Sequence, residues 1–334
     1  MKDSKLKKIR DQYVGKLTIK EPYSKTKYLS VRLRAVVDLF RPFTLLAPYV
    51  ISLFISVASL IFSARNYGTV IPSDWWIIVA QSSFTIAIVN AASNSLNQAT
   101  DLESDKISKP YRPIPLGLIK KDEAQSIAYV LYLFALIRSI AINENFTIII
   151  FLIMLFTVTY SLPPRMKKYL FINQLWIAIP RGMLGILAAW SVFGNPFTPT
   201  PLIIGSIATF YLIGGMTTKD ITDSKADKMT GVKTLINTFG EKKSALISFP
   251  FMFFPFLFIP ISIEYGYLDY YLWPLTGLII MSCIILYLMV RSKENQKYEN
   301  VQAWTIMYVQ YMLYAMGFSL LIIFSNVFEI PNLF

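Results

Sequence analysis

The sequence contains no histidine and a single cysteine, Cys283. The first absence excludes histidine-ligated zinc, Ser-His-Asp nucleophile systems and histidine proton relays. The second excludes an internal disulfide, and because Cys283 lies inside an apolar block it says nothing of redox compartment. Charge is also scarce. Asp, Glu, Lys and Arg make up 16% of the chain, where a soluble domain carries about 25%. No acidic residue falls in the middle of an apolar block. Without histidine, any metal is expected to be a hard cation held by oxygen ligands. No apolar stretch precedes about Leu45 and no small-residue cleavage site follows the basic N-terminus, so no cleavable signal peptide is expected.

What is present is hydrophobic, 54% of the residues, arranged in blocks of about 20, the length a helix needs to cross a bilayer. The expected spans are 44–63, 76–98, 124–141, 146–162, 170–192, 201–218, 244–263, 271–290 and 302–324. Lipid-exposed backbone must satisfy its own polar groups, which favours helices; a barrel would need alternating strands of about ten residues, and the apolar runs are continuous. The predicted fold is all-α, a polytopic membrane bundle of about nine transmembrane helices with a cytoplasm-facing active-site cavity. Residues 1–43 are predicted to form a cytoplasmic N-terminal segment and 44–334 one membrane domain with no soluble partner domain.

Lys and Arg set the orientation. Of 32, 29 fall before the first span or in alternate gaps on the same side, which places the N-terminus in the cytoplasm and the C-terminus outside. The three others are Arg65, Arg138 and Arg181. The net charge of +12 is thus mainly a topology signal, with attraction to anionic membrane lipid secondary; no nucleic-acid partner is implied, and the sequence names no protein partner. The first 28 residues are polar and expected to be mobile. Residues 29–42 interleave Arg with apolar side chains, as a helix lying in the interface does. The long inner gaps, 99–123 and 219–243, are expected to carry the chemistry.

Two acidic clusters stand there. Asn97, Asp101 and Asp105 are spaced i, i+4, i+8 and fall within about 80° of one helix face; Asp220, Asp223 and Asp227 fall within about 60° of another. Like charges at i, i+4 destabilise an isolated helix, so two such faces at helix ends imply a cation between them. Mg²⁺, usually bound by one or two carboxylates together with substrate phosphates, fits that pattern. The plain alternative is that polar residues mark where helices leave the membrane; two faces with three oxygen ligands each make it the weaker reading. The copies DLESDK and DSKADK hint at an internal duplication. A transporter or channel is the rival from another class, but its acids belong near the midplane, not at helix ends.

Asn97-x3-Asp101-x3-Asp105 followed by Lys109-Pro-Tyr-Arg112-Pro-Ile-Pro-x-Gly117 resembles the first signature of the UbiA superfamily of intramembrane prenyltransferases. Lys219-Asp220-x2-Asp223-x3-Asp227-x3-Gly231-x2-Thr234-Leu235 resembles its second, Tyr160-Ser-Leu-Pro-Pro-Arg165-Met-Lys167-Lys168 its Tyr/Lys motif, and Arg41-Pro42 its pre-span motif. The resemblance covers nearly the whole chain. It implies a Mg²⁺-dependent prenyltransferase working on a prenyl diphosphate and a lipophilic acceptor. The metal would be held by Asn97, Asp101, Asp105, Asp220, Asp223 and Asp227. Lys109, Arg112, Arg165, Lys167, Lys168 and Lys228 would bind the diphosphate. Tyr160 is either a stabiliser of the allylic cation through its ring face or an interface anchor.

The short Tyr/Lys motif of some members places Lys four residues after Tyr, where this chain has Pro164. The Tyr-Ser-x-Pro-Pro form is similar to that of chlorophyll synthases and homogentisate prenyltransferases, with Lys168 as the equivalent lysine. Gln98, where many relatives have Asp, leans the same way. An aromatic or quinone-type acceptor is therefore expected, with geranylgeranyl transfer to a glycerol-phosphate ether, as in archaeal lipids, the alternative. Arg41 and Arg181 are the acceptor-binding candidates. Arg181 is the one ionisable residue well inside a span; its other reading is structural, bonding a carbonyl freed by Pro180.

Overall fold

The computed structural model describes residues 25–291 and 302–327. The expectation that the first 28 residues are mobile falls largely on residues outside that range. Every element among the described residues is helical. An N-terminal helix α1 (Lys25–Phe40) leads into α2 (Pro42–Tyr67) and α3 (Trp75–Thr100), which continues as the short α4 (Leu102–Ser108). Then come α5 (Lys121–Ile140), α6 (Glu144–Ser161), α7 (Ile172–Arg181), α8 (Met183–Trp190), α9 (Pro199–Gly215), α10 (Thr217–Thr230) and α11 (Leu235–Phe239). The chain ends with α12 (Glu241–Glu264), α13 (Ile279–Arg291) and α14 (Gln302–Asn326). Nine of the described helical stretches are long and apolar enough to cross a membrane, and each overlaps one of the nine expected spans. The protein is an integral membrane protein.

Polarity is distributed as lipid demands. On α5, Ala124, Ala128, Tyr132, Ala135 and Ser139 recur every three or four residues and are buried against α3. Val130, Leu133, Ile137 and Ile140 on its other side are exposed. Small residues let helices approach closely: Ser52, Ser56, Ser59 and Ser63 form a buried stripe on α2, and Ser56 and Ser59 donate to the carbonyls of Ala189 and Trp190 at 3.0 and 2.6 Å.

Two spans depart from regular α-helix. The fifth breaks at Gly182, between α7 and α8, one residue after the turn that contains Pro180. A Cβ at Gly182 would sit 2.6 Å from the backbone nitrogen of Thr209, so glycine permits the close approach of α9 there. Thr209 Oγ1 in turn accepts a hydrogen bond from the Met183 amide at 2.7 Å, pairing a donor at the break. The eighth span opens as a 3₁₀ stretch, Tyr270–Leu278, around Pro274 before α13 continues it.

The interface segment is a helix over most of the expected length. Val31, Ala35 and Leu39 of α1 pack on Ile114, Leu116 and Ile119 from the loop after α4, while Leu29, Leu33 and Val37 are exposed as a second apolar row. Arg32 donates to the Leu118 carbonyl at 2.7 Å and pairs with Glu123. These contacts fold the Lys109–Gly117 segment back over the end of the bundle.

Candidate active site

The helix faces read from the spacing survive in the structure because the hydrogen-bond ladder runs through each join. Asp101 N donates to Asn97 O at 2.9 Å and Asp105 N to Asp101 O at 2.8 Å, so α3 and α4 carry Asn97, Asp101 and Asp105 on one continuous face. The second face is on α10. Lys109, after α4, pairs with Asp223 of α10, which puts both motifs at the same end of the bundle.

Between them is a polar cavity of about 350 Å³ lined by Asn97, Asp101, Asp105, Asp220, Asp223 and Asp227. Lys109, Arg112, Arg165 and Lys167 line the same space, as does Tyr160. Arg112 Nη1 donates to both carboxylate oxygens of Asp105 at 3.0 and 2.8 Å. Arg165 Nη2 donates to Asp101 Oδ1 at 3.1 Å, and Lys167 binds the same oxygen and also Asn97 Oδ1 at 3.2 Å. The Lys167 ammonium stands 5.7 Å from the centre of the Tyr160 ring.

Two of the six expected diphosphate ligands do not line this cavity. Lys168 is exposed, and its neighbour Lys167 is the buried one. Both sit in a 3₁₀ turn, Met166–Lys168, in which successive side chains are about 120° apart, so two adjacent lysines cannot both face inward. Of the two, Lys167 lines the cavity and Lys168, the equivalent expected from the motif, does not. Lys228 is exposed as well: it follows Asp227 by about 100° on a helix whose acidic face is turned inward.

Three further residues gain a place in the structure that the motifs do not give them. Lys219 lines the polar cavity beside Asp220; in the sequence it reads only as an inner topology charge. Asn173 lines it too, with its Oδ1 buried and without a hydrogen-bond partner among the described residues. Gln98 belongs to neither acidic face. It is buried and turned the other way, its Nε2 donating to the Leu39 carbonyl at 2.6 Å.

Burial and charge work against each other here. Burial pushes the Asp105 carboxyl above the usual carboxylate range, against the pull of Arg112 and Lys109. For Asp223 burial also raises the value, but Lys109 and Lys219 outweigh it and hold the carboxyl below that range. Asp227 is pushed up to about 7 by burial, reinforced by Asp223. Burial lowers the Lys167 ammonium, opposed by Asp101.

The donor set suits Mg²⁺. All the donors are oxygens, and Asp220 Oδ2 is buried with no hydrogen-bond partner among the described residues. Mg²⁺ takes one or two carboxylates and completes its shell with phosphate oxygens and water; among the described residues no three acidic side chains form a ready-made cage.

A second cavity, about 170 Å³, opens from the first and runs between the spans. Ile51, Ile86, Val89, Ile153 and Leu212 make it apolar, and Trp304, Tyr308 and Tyr311 of α14 close one side. Arg41, Asn97, Lys109, Tyr160, Lys219 and Asp223 line both chambers. Tyr160 thus faces the shared wall instead of a lipid interface. Arg181 is on the wall of the apolar chamber, and among the described residues its guanidinium has neither a hydrogen bond nor an ion pair; the carbonyl freed by Pro180 is not its partner.

The membrane bundle thus has a carboxylate-lined chamber at one end that adjoins an apolar chamber between the spans. The chain belongs to the UbiA prenyltransferase family, whose model matches residues 52–309. It is a membrane prenyltransferase, and the transporter reading falls. Among its relatives, the digeranylgeranylglyceryl phosphate synthase of Sulfurisphaera tokodaii is 26% identical over 257 residues, covering 75% of this chain and 90% of that protein. The synthase of Methanobrevibacter smithii is 27% identical over 255 residues, covering 72% and 86%. The fold is similar to that of a UbiA homolog from Archaeoglobus fulgidus bound to GPP and Mg²⁺, with a TM-score of 0.64 at 19% identity over 86% of this chain and 99% of that one. A solved digeranylgeranylglyceryl phosphate synthase gives a TM-score of 0.63 at 22% identity, covering 89% of this chain and 99% of that one.

Proposed function

We propose that this prenyltransferase moves a geranylgeranyl group from its diphosphate to the free hydroxyl of a geranylgeranylglyceryl phosphate. One observation carries the choice of acceptor. An arginine inside a span costs about 2.5–3.5 kcal/mol or more unless it meets a polar partner, yet the Arg181 guanidinium has none among the described residues and lines the chamber next to the polar cavity. A phosphate on the acceptor supplies that partner, and a guanidinium fork suits it bidentately. Arg41, which lines both chambers, is the second candidate for the same anion. The chain's similarity to digeranylgeranylglyceryl phosphate synthases supports the same acceptor. The aromatic or quinone-type alternative loses one of its supports, since Gln98 is turned away from the cavity.

In this reading Asn97, Asp101, Asp105, Asp220, Asp223 and Asp227 would hold Mg²⁺, which when bound would neutralise charge on the diphosphate oxygens. Lys109, Arg112, Arg165, Lys167 and Lys219 take the diphosphate as the C1–O bond breaks and its electron pair goes to the leaving oxygen. Tyr160 offers its ring face to the positive allylic carbon. The acceptor oxygen then bonds to C1 and its proton passes to the departed diphosphate. The apolar chamber holds the prenyl chain and keeps water from the cation. Purified protein given geranylgeranyl diphosphate and a panel of acceptors should make the glyceryl ether and leave homogentisate and 4-hydroxybenzoate unprenylated. Prenylation of an aromatic acceptor alone would overturn the proposal.

The reaction is assigned to the cytoplasmic leaflet, within a membrane domain spanning 44–334 that follows a cytoplasmic segment, 1–43. With Cys283 replaced by serine, cysteines placed at Lys168 and at Asn195, both exposed, should be labelled from opposite sides of sealed vesicles, Lys168 from the cytoplasmic side. Labelling of both from one side contradicts this topology.

A further inference from the structure

Arg41 sits where α1 gives way to α2, and it does so in a left-handed backbone conformation, φ 57°, that non-glycine residues seldom adopt. Such a conformation persists only where the surroundings determine it. Pro42 supplies no amide to the end of α1, and Pro48 supplies none to the carbonyl of Thr44 four residues earlier. The elbow therefore leaves carbonyls without helical partners on either side of Arg41.

One face of α3 collects them. Asn90, Asn94 and Gln98 are spaced i, i+4, i+8 and project within about 80° of each other. Gln98 Nε2 donates to Leu39 O at 2.6 Å, Asn94 Nδ2 to Phe40 O at 2.9 Å, and Asn90 Nδ2 to Thr44 O at 2.9 Å. Asn94 Nδ2 also donates to Thr44 Oγ1 at 2.9 Å, and that hydroxyl donates to the carbonyl of Arg41 itself at 2.9 Å. Asn94 and Gln98 are buried. Three side-chain amides on a span, all spent on a single chain reversal, are more than packing of α1 requires.

On the same helix Asn97 projects about 60° round from Asn94, and Asp101 only about 20° round. α3 thus holds the metal-binding face and the Arg41 elbow on one rigid body. We infer that Asn94 and Gln98 are positioning residues: by clamping the elbow they fix the Arg41 guanidinium relative to the first aspartate motif, and so fix the acceptor's anionic head relative to the allylic carbon. The inference rests on the acceptor role given to Arg41 in the proposed function. It assigns the Gln98 position, which belongs to neither acidic face, a task on the acceptor side of the reaction.

The test is a double-mutant cycle between Asn94→Leu and Arg41→Met, read as KM for geranylgeranyl diphosphate and for geranylgeranylglyceryl phosphate. Asn94→Leu should raise the acceptor KM about tenfold, the weight of one or two net hydrogen bonds, and leave the diphosphate KM within about twofold. In an Arg41→Met background it should add nothing, because a residue that acts through Arg41 has nothing left to position. If Asn94→Leu does not fold, Gln98→Met, which removes one donor at the same elbow, is measured in the same cycle. An unchanged acceptor KM in Arg41→Met overturns the acceptor role of Arg41 and the inference with it. A raised acceptor KM in Arg41→Met with none in the clamp variant, or a full additional effect of the clamp variant on Arg41→Met, overturns the clamp alone.

Discussion

Replacing Asp101 or Asp223 by alanine is expected to lower prenyl transfer by about three orders of magnitude, since metal neutralisation of a leaving group contributes several kcal/mol and each 1.4 kcal/mol is tenfold in rate. The two residues stand on opposite walls of the polar chamber, one on the α3–α4 face and one on α10. Each is already bound by a cation, Asp101 by Lys167 and Arg165 and Asp223 by Lys109, so either substitution also leaves buried positive charge without its partner. Asp122→Ala, at an exposed position beside Glu123 on α5, is the control and should keep activity within about twofold, as surface substitutions generally do. Near-normal turnover in both Asp101→Ala and Asp223→Ala would mean that the acidic faces only mark helix ends.

The second large effect separates two adjacent lysines. Lys167→Met should cost about 10²–10³ in turnover, the usual loss when a charge-stabilising donor is removed from a site that excludes water. Lys168→Met should change it by less than about twofold, being an exposed substitution. Lys167 is 4% exposed and lies over the Tyr160 ring, whereas Lys168 contributes to the turn through its carbonyl, which accepts from Lys233 N at 3.3 Å. Steady-state assays at saturating substrates decide it. A loss confined to Lys168→Met would restore the motif-based equivalence and remove Lys167 from the diphosphate site, whereas equal large losses would put both lysines there.

These lysines also mark where sequence reasoning reaches its limit. The spans were legible because bilayer thickness imposes a length on each apolar block, and the acidic faces because i, i+4 spacing needs only the helix repeat. The choice between Lys167 and Lys168 depends on a 3₁₀ turn after Pro163 and Pro164 that no periodicity announces. The break at Gly182 depends on Thr209, 27 residues further on, coming close enough to take the Met183 amide. Lys219 was hidden by its company, since one more cation on the basic side of the membrane looks like topology. Gln98 read only as a pointer to the homogentisate branch; the tertiary fold shows its amide reaching back to the Leu39 carbonyl. In each case the missing information is a contact between distant segments, and a single sequence carries no local trace of it.

Central to the whole reading is that metal held between the two aspartate faces drives departure of the diphosphate. A magnesium titration of diphosphate release, on purified protein with geranylgeranyl diphosphate and geranylgeranylglyceryl phosphate, tests this most directly. Release should be absent in EDTA, return with added Mg²⁺ in the wild type, and stay absent at every Mg²⁺ concentration in Asp101→Ala. Release that continues in EDTA at the wild-type rate, with the ether product formed, would contradict it.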